Sequence, residues 1–371
     1  MFDIICTTVN GGIPIFYRKS GTENSVPFTT FSTLNAVITF ADVQNVHFKT
    51  IRTDKHCFVW HNVANSLVIA GIGDLNECTI SSCLKLISCL IKMMVGEENI
   101  SIKNTDRLKR EIKPCIPIID HLSNILRSGS IEKNLISSIE VQSLKENKVI
   151  QSCLCSWSEI ICSDLCWIIV DKKVCAATND WWNLHINDRK LLVTIIISNC
   201  YELNTSADFP IFLPHLSNKS LLRLVCCMIV QGVWIAGICG PLPNLDNIEI
   251  SAAKLFRSII SYFRPNHTKI ELASGYIFIN TNTSQFIQNY YYLNTSVQSE
   301  LQHFYETVAS RLVKDDETVG EISGVGKNHN FYALHSNGLT MCLAYPIKHN
   351  MITIRHYAKQ AFQQYLLDIN N

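Results

Sequence analysis

The sequence predicts an α/β (α+β) protein of three sequential domains, each a five-stranded mixed or antiparallel sheet flanked by helices. A chain of 371 residues exceeds the usual size of one core. Apolar segments of strand length and segments with 3.6-residue periodicity follow one another in the order ββαβββα, and that order recurs. Finally, SLVIAGIGDL at 66–75 matches GVWIAGICGPL at 232–242, in each case a last strand leaving through glycine toward a helix. Units that can each close a core stand in sequence as domains and do not need to stack as a solenoid. The expected division is 1–125 for the first domain, 126–147 for a linker, 148–264 for the second domain and 265–371 for the third.

Segments 2–9 and 13–20 read as strands joined by Asn10-Gly11-Gly12, residues that tolerate positive φ. A helix is expected over 27–44, opened by Pro27 at a position where its missing N–H costs nothing. Phe28, Phe31, Leu34, Val37, Ile38 and Ala41 fall on one arc of that helix and Ala36, Phe40 and Val43 on the opposite one, with Asp42 the sole charge. A helix apolar on both sides either lies buried within its own chain or offers its second side, Ala36, Phe40 and Val43, to a partner subunit. Strands near 46–53, 56–63 and 66–72 follow, then a helix over 77–95 on which Ile80, Leu84, Ile87, Ile91 and Met94 recur, with Gly96 as its stop. A further helix starts at Thr105 as N-cap and carries Leu108 and Ile112 until Pro114 and Pro117 kink or end it. Residues 126–147 are polar and weakly patterned, which reads as a linker.

A helix at 149–163 opens the second unit, followed by strands within 166–178, a helix at 184–199, a strand at 209–216 and a helix at 246–263. The apolar run 221–240 between them reaches membrane-spanning length, yet Arg223 and the central Gln231-Gly232 favour a buried β-hairpin. The third unit repeats the order more faintly. Its strands fall near 274–281, 286–293, 319–324, 329–335 and 339–345, with helices at 297–313 and 352–368.

Lys plus Arg (32) nearly balance Asp plus Glu (31), so no global field attracts nucleic acid or an anionic membrane. The opening MFDIICTTVNGG has no basic n-region or adequate h-region, so the sixteen cysteines are expected reduced, the Asn-x-Ser/Thr triplets unused, and the protein cytoplasmic. There is no C-x-x-C and no H-E-x-x-H; no metal or cofactor is expected. Cys153 and Cys155, Cys162 and Cys166, and Cys226 and Cys227 read as small core hydrophobes. GEISGVGKN around Gly320–Gly326 fails as a phosphate loop, with one residue too many and Asn328 where Ser or Thr would hold magnesium. No G-x-S-x-G elbow exists and the twelve histidines do not cluster near any acid or nucleophile in sequence, so no catalytic residue is named. A triad assembled only by the fold stays open.

Two local features remain. Lys103, Arg107, Lys109, Arg110 and Lys113 form the basic cluster, readable as a solvated helix face or as a lipid-headgroup or partner patch. Trp181 and Trp182, after Thr178-Asn179-Asp180, read as core lids or as a partner hot spot.

The repeating unit ββαβββα has the outline of a longin domain. IPIFYRKSG, PFTTFSTLNAVITF, IRTDKHCFVWHNVANSLVIAG, VGEENISIKNTDRLKREI, AATNDWWNL and DFPIFLP together resemble the Fuzzy family of planar cell polarity effectors. The resemblance runs along most of 2–216; beyond about 265 only the order of elements supports it. It implies three longin domains, in a family shared with Inturned and the Mon and Ccz subunits of vesicle trafficking. It further implies pairing with an Inturned-like subunit through the first domain, a complex with a Wdpcp-type WD-repeat protein at the base of cilia (cytoplasm, cytoskeleton, basal body), and service to planar polarity, ciliogenesis and intraflagellar transport. Related longin pairs are guanine nucleotide exchange factors for Rab GTPases, an activity that needs no general acid or nucleophile. The expected function is therefore a non-catalytic subunit that recruits or activates a small Rab-type GTPase, with a peripheral phosphoinositide contact and no transmembrane segment. A Mon/Ccz-type trafficking subunit or a pure scaffold is the alternative, and a thiol-dependent or hydrolytic enzyme the reading from another class.

Overall fold

A computed structural model describes residues 2–19, 28–46, 48–101, 104–128, 131–200, 205–264, 270–290, 293–311 and 319–369. The first unit opens with the hairpin β1 (Phe2–Thr8) and β2 (Pro14–Arg18), turned through Gly11 and Gly12 at positive φ. Helix α1 (Phe28–Val43) follows, then β3 (Thr50–Arg52), β4 (Cys57–Val63), β5 (Leu67–Gly73) and α2 (Glu77–Val95). Pro27 and the side chains of Phe28, Phe31 and Leu34 lie outside the described set. Strand β3 is shorter than the expected 46–53, because Val46 and Phe48 approach it as exposed coil.

Asn76 caps α2, its Oδ1 accepting from Thr79 N at 2.7 Å, and Gly96 ends the helix at φ +81°. Ile80, Leu84, Ile87 and Ile91 are buried as their spacing requires, but so are Leu86, Cys89, Leu90 and Met93. The second unit covers that other side. Among the described residues α2 is the one helix long and apolar enough to cross a membrane, and 67% of its most apolar window is buried inside the molecule. After α3 (Glu97–Ile100) comes α4 (Thr105–Ile112), whose cap is Asn104 and not the expected Thr105; Asn104 Oδ1 accepts from Arg107 N at 3.0 Å. The prolines restart the helix instead of ending it. A 3-10 turn at Lys113–Cys115 leads into α5 (Ile116–Arg127), and Pro114 and Pro117 occupy opening turns where no N–H is needed.

The second unit contains α6 (Asn147–Ile161), β7 (Cys166–Val170), β8 (Lys173–Ala177), α7 (Asn179–Trp182), α8 (Ile186–Asn199), β9 (Ala207–Leu213), β10 (Ser217–Val230), β11 (Val233–Cys239) and α9 (Leu245–Phe256); β6 (Ile139–Glu140) precedes it. The run 221–240 is the β10–β11 hairpin, turned at Gly232 with φ +84°. The third unit holds β12 (Gly275–Asn280), β13 (Gln285–Asn289), α10 (Thr295–Arg311), β14 (Gly320–Val325), β15 (His329–Ser336), β16 (Leu339–Pro346) and α11 (Met351–Ile369). Gly320 to Val325 being a strand paired with β15, the glycine-rich segment there is no phosphate loop.

The sheets run β2-β1-β5-β4-β3, β8-β7-β11-β10-β9 and β14-β15-β16-β12-β13-β6. By position within each unit all three share one order, two-one-five-four-three, with β6 added to the third. Pairing within each five-strand set is antiparallel; β6 runs parallel to β13.

One core fills the space between the first two sheets, with α2 and α8 packed together inside it. Alternation along β7 sends Trp167 and Ile169 into this core and Ile168 and Val170 to the far face, under α6 and α9. The third sheet has a core on each face.

Residues 126–147, expected as a linker, are packed wherever described. Ile131 and Leu135 enter the third core, Ile136 and Ile139 the first, and Leu144 the second. Ile139 N and Val141 N donate to Ser284 O and Phe286 O beside β13, both at 2.9 Å, while Gln142 N donates to Val174 O of β8 at 3.0 Å. Lys173 Nζ reaches Glu140 at 2.8 Å. The segment thus splices the edge of the second sheet to the edge of the third, and its polarity reflects a narrow apolar contact, not mobility.

Candidate partner-binding face

Helix α1 packs on β1 with Ala41 buried and Val37 and Ile38 half-buried. Its other side is bare. Ala36 is exposed, Phe40 keeps 68% of its surface open and Val43 71%. Asn45, in the left-handed region at φ +55°, closes the helix, and Val46 N returns to Ala41 O at 2.9 Å. This turn carries the apolar surface onward through Val46, Phe48 and Ile51, which are 48%, 42% and 36% exposed. A shallow depression between Gly11 and α1 is lined by Asn35, Ala36, Thr39, Phe40 and Val43.

Ile51 lies on β3, an edge strand with one neighbour, so half of its backbone polar groups point away from the sheet. Exposed apolar side chains and an open strand edge are the two features a protein partner uses, one through buried area and the other through main-chain pairing. The three α1 positions picked from the sequence are thus followed by exposed Val46, Phe48 and Ile51, in the 46–53 segment that the sequence offers as the alternative place for the interface.

The basic cluster is elsewhere. Leu108 and Ile112 pin α4 beside β2, at the opposite edge of the same sheet, and Arg107, Lys109, Arg110 and Lys113 are exposed. Arg107 spends part of its charge on Glu111, 3.6 Å away. Lys103 lies outside the described residues.

Trp181 is fully buried and stacks on Trp167 at 5.3 Å, so it is a core lid; Trp182 is half-buried beneath the Arg189 guanidinium. Among the described cysteines Cys166, Cys226 and Cys227 are buried as expected, whereas Cys155, on the solvent side of α6, and Cys162, the left-handed cap just past its end, are exposed. All sixteen are free.

One constellation had no local signal. Cys89 on α2, Asp188 on α8 and His215 in the β9–β10 turn meet at the seam of the first two units. Asp188 Oδ1 lies 2.8 Å from His215 Nδ1 and 3.4 Å from Cys89 Sγ, and Sγ is 4.0 Å from the same Nδ1. A nucleophilic triad needs acid and nucleophile on different ring nitrogens. Here both face Nδ1, and burial followed by the Asp188 charge pushes the Cys89 thiol far above its ordinary value. The set does not activate sulfur; its donors converge on one point.

Comparison with known proteins places this architecture. Two family models match the chain, described as the first longin domain of FUZ, MON1 and HPS1 over residues 3–122 and the second longin domain of FUZ, MON1 and HPS1 over 165–257. The chain belongs to this family of longin-domain proteins. Within it, the chain is similar to proteins named "Protein fuzzy homolog": that of Xenopus tropicalis is 24% identical over 272 residues, covering 72% of this chain and 62% of the relative. Those of Rattus norvegicus and Homo sapiens are 26% and 25% identical over 254 and 253 residues, each covering 66% of this chain and 60% and 59% of the relative. The match therefore spans less than two thirds of the relatives' own length. It is not a classical enzyme family.

Proposed function

We propose that this chain is a non-catalytic subunit of a ciliogenesis and planar-polarity effector complex, pairing through the α1 face with an Inturned-like longin subunit. The pair recruits or activates a small Rab-type GTPase by guanine nucleotide exchange and supports intraflagellar transport, with a Wdpcp-type WD-repeat protein as a further partner. The complex works at the base of cilia. The observation that carries this reading is the exposure of five apolar side chains, Phe40, Val43, Val46, Phe48 and Ile51, on α1, just after it and on β3, the open edge of the first sheet. Exchange asks of such a pair only that it bind the nucleotide-free GTPase more tightly than the loaded one. The exposed Arg107, Lys109, Arg110 and Lys113, at the far edge of that sheet, remain available for phosphoinositide while the partner occupies the α1 face.

A second reading, a trafficking subunit of the Mon/Ccz kind, draws support from the family description that groups MON1 with FUZ. Copurification from cells separates the two by whether the bound longin partner is Inturned-like. Exchange itself is tested by nucleotide release from a Rab panel, with the chain alone and with the Inturned-like subunit. Accelerated release from one Rab by the pair supports exchange; acceleration of none reduces the function to a scaffold.

A further inference from the structure

Asp188 is fully buried, and among the ion pairs of the described residues it meets no Lys or Arg, only His215. A carboxylate taken out of water without a cation is costly, and a histidine shared with a neutral thiol is thin compensation. The three donor atoms form a triangle with sides of 2.8, 3.4 and 4.0 Å. Zinc held at about 2.3 Å from sulfur and about 2.0 Å from nitrogen and oxygen in a tetrahedron separates those donors by about 3.3 to 3.5 Å, so each side lies within about 0.5 Å of the ideal. We infer that Cys89, His215 and Asp188 bind one zinc ion that staples the first longin unit to the second.

The donor chemistry selects this metal. A thiolate, an imidazole nitrogen and a carboxylate oxygen suit zinc, whereas magnesium and calcium would demand oxygen ligands throughout. Binding forms bonds from the metal to Sγ, Nδ1 and Oδ1, the Cys89 thiol proton leaves to solvent, and His215 binds as the tautomer protonated on Nε2. Two ligand charges cancel the charge of the ion, and the buried carboxylate gains a metal cation as partner. Three protein ligands leave a fourth position for water, to which the 37% exposure of the His215 side chain gives access.

The surroundings hold the ligands in place. His215 N lies 3.4 Å from Asp188 Oδ2, fixing the carboxylate against the turn. The ring of His185 stacks on that of His215 at 3.6 Å, and His185 is itself held as the N-cap of α8, its Nδ1 accepting from Asn187 N at 3.2 Å. No two ligands share an element, so the ion would tie α2 to both α8 and the β9–β10 turn.

The test uses the full chain. After exposure to zinc and dialysis, elemental analysis should find about one zinc per chain, and a strong chelator should lower the melting temperature. Cobalt(II) added to the stripped protein should give the intense thiolate-to-cobalt absorption of a four-coordinate site. Cys89→Ser should remove that band, and His215→Gln, at a part-exposed position that spares the fold, should weaken zinc affinity at least tenfold. A stripped wild type that takes up neither ion overturns the inference. So does uptake that both variants leave unchanged, since the metal would then sit on other cysteines.

Discussion

Replacing Phe40 by aspartate should abolish pairing with an Inturned-like subunit while leaving the isolated chain folded. An aromatic side chain carries roughly 200 Å² of surface, and the 68% still open on Phe40 amounts to about 140 Å². At about 25 cal/mol per Å², burying it in a complex is worth about 3.5 kcal/mol, and since alanine keeps the Cβ part of that area, Phe40→Ala alone should weaken association on the order of 100-fold. Aspartate adds an unpaired carboxylate in an apolar contact, a further few kcal/mol, which takes binding below detection. In the free chain the position is surface, and the change should move stability by no more than about 0.5 kcal/mol. Ala41→Asp is the control: that side chain is buried under the same helix, and the substitution should lower stability by about 2 kcal/mol or more. Calorimetric titration of the partner and thermal melts of both free variants provide the readouts. Phe40→Asp melting as low as Ala41→Asp, or binding as well as wild type, would refute the argument.

The other predictions concern charge. Lys109, Arg110 and Lys113 changed together to Glu should abolish sedimentation with phosphoinositide liposomes, since each basic residue near such a surface contributes about 1 kcal/mol and the change reverses all three; unchanged sedimentation would make the cluster an ordinary solvated helix face. His121 on α5 is held down to about 4 by burial and then by the charges of Lys190 and Lys172. Its folded value lies below the unfolded one, so the unfolded chain binds the extra proton first; the stability this neutral ring protects is complete above about pH 6.5 and drains away as pH falls toward 4. The loss should be on the order of 2 kcal/mol, and His121→Gln should flatten that part of the stability curve; identical pH profiles for wild type and variant would sink the assignment.

Much of the architecture was legible because the units obey local rules. The strand alternation, the apolar period of α2 with its Gly96 stop and the Gln231-Gly232 turn each placed an element within a few residues. What local rules miss is what the rest of the chain does to an element. Leu86, Leu90 and Met93 gave no sign that α2 would be covered by the second unit as well as by its own sheet. Thr105 looked like a cap only because Asn104, one residue earlier, competes for the same role. The exposed side of α1 was readable from its shortage of charge, yet its extension through Val46, Phe48 and Ile51 depends on the αL turn at Asn45 and on β3 being an edge. Cys89, Asp188 and His215 are separated by 99 and 27 residues and only the fold brings them together.

The short strand β6 has a consequence for how the chain is made. Its second-sheet contact at Val174 is synthesised about 30 residues after Val141, but its partner in β13 follows Ile139 by about 145 residues. At a synthesis rate of about 5 to 20 residues per second, residues 139–142 and the edge of β8 wait on the order of 5 to 20 s with one side uncovered. During that interval a half-built product offers the ribosome's surroundings a sheet edge that the finished protein never shows, and a chain halted before β13 would keep it open indefinitely.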